Sequence, residues 1–265
     1  MYKLIQHLLY FLLFLSFAKA NAQKNWTLND FYSADPILNL KVDSIFNGLS
    51  SKDKIGQMII QAAGPLGKST TNIIKLIAKH QLGGIIMLKG EKKAFRSLTR
   101  KFRSVSLTSN SLPILFSADA EPSLINRKIS GTKKVIPTSG IKTLSKCGYV
   151  ANVIGKELNY MGIRQNFAPT CDLSSGNKAI GNRSFGSHGD SVAALANKFI
   201  KTMHGAGIVA TAKHFPGHGF VKGDTHTETV YIDGKLKEID VYKPLIDSGL
   251  ISVMVAHICV KNNDK

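Results

Sequence analysis

Six short apolar runs, each bounded by glycine, proline or polar residues, recur along this chain. They are 56-GQMIIQAAG-64, 84-GIIMLKG-90, 112-LPILFSAD-119, 164-RQNFAPTCDL-173, 207-GIVATAKHF-215 and 250-LISVMVAHI-258. A sheet with one wet face alternates apolar and polar positions; runs this continuous suit strands buried on both faces. Helix-like patterns fill the intervals. Ile73, Ile74 and Ile77 follow Ser69 and Thr70; Val150, Ile154, Leu158 and Met161 share a face in 145–162; 190–207 opens on Asp190 and closes on glycines. A fourth pattern, near 235–249, is interrupted at Pro244.

Alternating strand and helix with strands of this kind predicts a parallel sheet covered by helices. A doubly wound sheet and a barrel both satisfy that order. No GxGxxG follows any of the runs, which removes the usual mark of the dinucleotide-binding version. Polar residues gather where strands end: Asp119 and Glu121, Asp172, then Lys213 and His214. Chemistry on that rim is the rule for barrels and is shared by open sheets. The expected fold is a (β/α)8 TIM-type barrel, truncated after about six strands because the sixth run lies just before Lys265.

Residues 1–22 carry Lys3, an apolar core from Leu8 to Phe17, and small residues at Ala18, Ala20 and Ala22. That order predicts a secretory signal peptide and an exported (secreted or periplasmic) protein with no stable membrane anchor after cleavage. Residues 23–47 read as a lead-in and 48–265 as one domain. The chain is strongly basic, +18 overall. Its densest basic stretch, 89-KGEKKAFRSLTRKFR-103, spaces Phe95, Leu98, Phe102 and Val105 as one helix face, which suits a solvated basic helix. No aromatic-and-basic pattern of a nucleic-acid module is present, so no nucleic-acid partner is expected. Three cysteines without CxxC spacing, Cys147, Cys171 and Cys259, read as small buried apolar residues.

The chemistry concentrates in 210-ATAKHFPGHGFVKGDTHTE-228. His214 and His218 are four apart, but Pro216 and Gly217 between them argue against a helix that would present both to a metal. A zinc site would need His214, His218, Asp224 and His226 to converge without any standard ligand spacing, so no metal or other cofactor is expected. Asp224-Thr225-His226 offers another use. A carboxylate that orients an imidazole and stabilises its charged form makes a general acid/base. Gly217, Gly219 and Gly223 are expected to loosen the loop that carries the pair.

KHFPGHG with the downstream DTH (213–226), NRSFG (182–186), GIRQNFAPTCDL (162–173), LPILFSADAE (112–121) and SKDKIGQM (51–58) together resemble the N-terminal barrel of glycoside hydrolase family 3, in its β-N-acetylglucosaminidase branch. The resemblance spans roughly 48–260. It implies that Asp224 and His226 form the general acid/base dyad, and that Asp119, Arg127, Arg183, Lys213 and His214 bind the sugar. It also implies a retaining hydrolase that removes terminal β-linked N-acetylglucosamine from peptidoglycan fragments or chitin-type oligosaccharides. Two departures stand out. Pro122-Ser123 replaces the family's Gly-Gly after the acidic residue, which changes the loop between Asp119 and Arg127. The family's nucleophile, an aspartate after the seventh strand, has no counterpart in these residues. A catalytically inactive sugar-binding or scaffold module of the same fold is the alternative.

Overall fold

The computed structural model describes residues 26–221 and 228–261. Its centre is a six-stranded, wholly parallel sheet: β1 (Ile60–Ala63), β2 (Gly84–Met87), β3 (Leu115–Ala118), β4 (Gln165–Asn166), β5 (Val209–Phe215) and β6 (Ser252–Val255). The strands lie side by side in chain order, without a reversal. A doubly wound sheet reverses its order at a switch point. A sheet that adds each strand on the same side curls instead, and this one is a curled parallel half-barrel. Two small parallel ladders lie apart from it, Gly90–Glu91 with Ile129–Ser130 and Val230–Asp233 with Ile258–Lys261.

Seven helices of more than one turn complete the described residues: α1 (Pro36–Gly48), α2 (Ser51–Gln57), α3 (Thr70–Ala78), α4 (Lys92–Thr108), α5 (Leu144–Met161), α6 (Gly189–Gly205) and α7 (Tyr242–Asp247). Their starts are written locally. Asp35, Ser50, Ser69 and Thr143 each accept a backbone N–H of the first turn, as N-caps do. Gly162 ends α5 in the left-handed region at φ 76°, which glycine adopts without the Cβ penalty. Among the described residues, no helix is long and apolar enough to cross a membrane.

The helices from α3 to α7 bury apolar side chains, whereas α1 leaves Ile37, Leu40, Val42, Ile45 and Phe46 exposed and α2 buries only Gly56. Phe95 and Phe102 of α4, Ile154 and Leu158 of α5, and Phe199 and Met203 of α6 are at most 1% exposed. Full burial of such a side chain stabilises by roughly 1.5–3 kcal/mol. The outer strands β1 and β6 are less covered, with Ile60, Val253 and Val255 exposed.

Several details depart from the sequence expectations. The segment 23–47 contains α1, announced by Asp35 and Pro36 at its start. The run 164–173 forms a ladder only at Gln165–Asn166, with a single bridge from Thr170 to Lys213. Pro169 has no N–H to extend that ladder. Pro244 sits in the first turn of α7 and does not break it. Cys147 and Cys171 are buried as expected, and burial raises both thiols, Cys147 to about 12. Cys259 is exposed, because the 258–261 strand belongs to a two-stranded ladder with one open face.

Candidate active site

Asp119 follows the last residue of β3, Lys213 and His214 lie near the end of β5, and Asp172 ends the extension of β4. Parallel strands deliver all their C-terminal ends to one rim, so these side chains meet although they are far apart in sequence. Asp119, Lys213 and His214 line a cavity of about 290 Å³, near the lower end of the size range of small-ligand sites, and Asp172 is buried behind His214. Ile86, Leu88, Phe167 and Met254 supply apolar wall, while Asp119, Arg183, Lys213, His214, His218 and His257 supply polar groups.

The polar groups are chained by charge. Lys213 Nζ donates to Asp119 Oδ1 at 2.6 Å and lies 2.5 Å from Glu121 Oε1. Arg183 forks onto Glu121, with Nη2 donating to Oε1 at 2.7 Å and Nε to Oε2 at 2.9 Å. The Lys128 ammonium closes the far end of the chain on Asp119 Oδ2. Lys213 and Glu121 are buried beneath the cavity floor, and Asp119, Arg183 and His214 keep part of their surface toward it. Burial alone would raise the Asp119 carboxyl, but Lys213 and Lys128 outweigh it and hold the group well below the usual carboxylate range. Arg183 shows the mirror case. Burial opposes its charge, and Glu121 more than restores it.

A second buried carboxylate fixes the imidazole. Asp172 Oδ2 lies 2.5 Å from His214 Nδ1, and Oδ1 accepts the backbone N–H groups of His214 (3.2 Å) and His218 (2.8 Å). Burial pushes Asp172 upward, but these His214 and His218 donors pull it lower overall. An ionised carboxylate only accepts and a guanidinium only donates. His214 therefore carries its proton on Nδ1 and offers Nε2 to Arg183 Nη2, 3.4 Å away.

Glu238 is the third buried acid. It accepts from Leu173 N (2.6 Å), Gly219 N (2.9 Å) and Phe220 N (3.4 Å), which ties the turn after β5 to the end of the β4 extension. The turn's glycines serve this contact. A Cβ on Gly217 would stand 2.4 Å from Glu238 Cβ, and one on Gly219 would stand 2.2 Å from Leu173 O. Gly217 and Gly219 are thus sites of close approach, where the sequence suggested backbone freedom. Gly223 lies outside the described residues.

Of the residues singled out in the sequence, Asp119, Arg183, Lys213 and His214 share this cavity. Arg127 does not join them: it is exposed, and Lys128 takes the place beside Asp119. The reason is helical phase. Ile125 is buried at the start of the turn Ile125–Lys128, and Lys128, three residues on, shares its inward face while Arg127 points away. The altered Pro122-Ser123 sits directly before this turn, with Ser123 Oγ donating to Asn182 O at 2.8 Å. Asp224 and His226 lie outside the described residues, so the zinc set that includes them does as well. Among the described residues, no three metal-binding side chains cluster. His218, weighed in the sequence as a metal ligand, is buried and borders the cavity. Asp172 and Glu121 were visible as polar strand ends without a role. Glu238 carried no local signal.

Residues 50–265 match the model of the Glycosyl hydrolase family 3 N terminal domain. The chain belongs to this family. Among curated relatives, a "Beta-hexosaminidase" of Tolumonas auensis is 34% identical over 198 residues, covering 69% of this chain and 58% of the relative. Another from Nitrosomonas eutropha is 28% identical over 220 residues, covering 77% and 62%. A solved family 3 β-N-acetylglucosaminidase from Paenibacillus sp. superposes with a TM-score of 0.74 at 30% identity, covering 80% of this chain and 43% of that one. The chain thus spans about three fifths of the length of these curated relatives.

Proposed function

We propose that this chain is the sugar-binding and proton-donating part of a retaining β-N-acetylhexosaminidase. It would remove terminal β-linked N-acetylglucosamine from peptidoglycan fragments or chitin-type oligosaccharides. The observation that carries the proposal is the rim cavity in which Asp119, Arg183, Lys213 and His214 converge, in a chain whose relatives bear the name beta-hexosaminidase. A pyranose offers hydroxyls and an amide, which charged donors and carboxylate acceptors on rigid strand ends can grip in fixed directions. Asp119 would accept sugar hydroxyls through the oxygen edges its lysines leave open. Arg183 and His214 Nε2 would face the ring from the other side.

In this proposal His226, oriented by Asp224, protonates the leaving oxygen as a carboxylate oxygen bonds to the anomeric carbon and the glycosidic bond breaks. The imidazole then takes a proton from the water that releases the sugar. The attacking carboxylate is assigned to a part of the protein outside residues 1–265, and residues 1–22 to export. One observation favours a second reading, a sugar-binding module without turnover. Among the described residues, the carboxylates at the cavity are engaged: Asp119 by two lysines and Asp172 by His214.

The deciding experiment compares two leaving groups in hydrolytically active protein. His226→Ala should reduce cleavage of an unactivated glycoside by ~10²–10⁴-fold and that of a 4-nitrophenyl glycoside far less. Equal loss on both would remove the proton-donating role, and failure of the native protein to cleave either glycoside would favour the binding module.

A further inference from the structure

Charge is unevenly spread over this molecule. Residues 89–164 hold fifteen lysines and arginines against four acidic residues, whereas the rest of the chain holds twenty against thirteen. Of the four acids, Asp119 and Glu121 belong to the cavity and Glu157 is tied to Lys92 at 2.6 Å, which leaves Glu91 exposed. On α4 the buried positions Phe95, Thr99, Phe102 and Ser106 define one face. At 100° per residue, Lys92, Arg96 and Arg103 fall along the flank beside it, toward α5, and Arg100 and Lys93 continue the same side round to solvent. Lys92 and Arg96 lie 5.0 and 4.3 Å from the ring centre of Tyr160 on α5, and Arg103 Nη2 donates to Gly162 O at 3.5 Å. Lys93, Arg100 and Arg103 are exposed and have no carboxylate partner among the described residues.

Like charges three and four apart repel along a helix. A row of them with acidic relief only at Lys92 is an arrangement that a bound polyanion stabilises, through ion pairing and release of its counterions. Phe95 and Phe102 of α4 are committed to the core and Leu107 is its one large exposed apolar side chain, so this helix offers no apolar stripe to insert into a bilayer. Tyr160 and Tyr149, 38% and 57% exposed, lie among the cations and present amphipathic rings suited to sugar faces. The row also starts close to the cavity: Leu88 lines it, and α4 begins at Lys92.

We infer that the α4–α5 flank is a docking surface for a carboxylate-bearing glycan chain, held outside the cavity while its terminus enters it. The choice of a glycan rests on the function proposed above; the polyanion surface does not.

The test measures binding of the full chain to polygalacturonate, with phosphatidylglycerol vesicles and single-stranded DNA as competing probes. The variant Lys93→Glu/Arg100→Glu/Arg103→Glu should weaken polygalacturonate binding about ten-fold or more and flatten its salt dependence. The helix-compatible variant Lys93→Gln/Arg100→Gln/Arg103→Gln should lose less, in the same direction. A control of equal charge change, Lys52→Glu/Lys201→Glu/Lys243→Glu, should stay within about two-fold. Equal loss in the control and the flank variant would overturn the inference, as would tighter binding of vesicles or DNA than of polygalacturonate. N-acetylglucosamine binding by the same variants should be unchanged. Its absence in every form, with polygalacturonate binding intact, would count against the proposed function and leave the docking surface standing.

Discussion

The Nδ1 of His214 lies 2.5 Å from Asp172 Oδ2, and the same carboxylate holds the backbone N–H groups of His214 and His218. One buried acid therefore sets both the ring tautomer and the path of the turn. Asp172→Asn removes an acceptor from that set and offers an amide N–H where a carboxylate stood. The expected cost is about 1–3 kcal/mol of stability. A further effect is specific to the tautomer: nitrogen chemical shifts of the neutral His214 ring should report Nδ1–H in the native protein and a mixture in the variant.

Asp119 is gripped by Lys213 and Lys128, with Arg127 turned to solvent. Lys128→Ala should weaken N-acetylglucosamine binding about ten-fold, the scale of one charge-assisted hydrogen bond. Arg127→Ala should leave it within about two-fold. Calorimetric titration of the two variants side by side separates them, and the reverse ranking would restore Arg127 to the site.

Gly217 and Gly219 meet Glu238 differently, so their alanine variants should respond differently to removing it. Each alanine alone is expected to cost about 1–3 kcal/mol through overpacking. Glu238→Gly removes the Cβ that a Cβ on Gly217 would strike at 2.4 Å, which an alanine would keep, although the +131° φ of Gly217 retains part of the cost. Gly219→Ala would still strike Leu173 O, so no recovery is expected there. Denaturant midpoints of the two double variants make the comparison.

The pH dependence of stability should carry two opposite signatures. Burial and the nearby Asp172 raise Glu238 above its ordinary value, against the backbone N–H groups that lower it. A raised folded-state carboxyl contributes stability that is present below the unfolded value near 4.5 and lost as pH rises through the folded one. Asp119 and Asp172 are lowered, so their contribution is present above about 4 and lost as pH falls toward their folded values. Melting temperatures across pH should show Glu238→Gln removing the decline on the alkaline side. The acid-side loss should remain.

The strands were legible because burial on both faces leaves continuous apolar runs, and the strand ends because polar residues interrupt them at Asp119, Asp172 and Lys213. Strand order could not be read, since alternation of strand and helix fits either a reversing or a one-directional sheet. The site was legible where one motif held the residues together, as in Lys213 and His214. It was not where a single helical turn decided between Arg127 and Lys128, a difference of one residue in phase. Glu238 was hidden because its partner Leu173 is 65 positions away and its neighbours look like an ordinary polar segment. The glycines of 217–219 were seen, but their meaning depends on what packs against them.

The central claim is that the rim cavity recognises N-acetylglucosamine through its charged chain of residues. Calorimetric titration of the full chain with N-acetylglucosamine and with glucose, for the native protein and for Arg183→Ala, tests it most directly. The expected result is tighter binding of N-acetylglucosamine than of glucose, weakened about ten-fold or more in the variant, as befits loss of a charged hydrogen-bond donor. Equal affinity for both sugars, or an Arg183→Ala variant that binds as the native chain does, would contradict it.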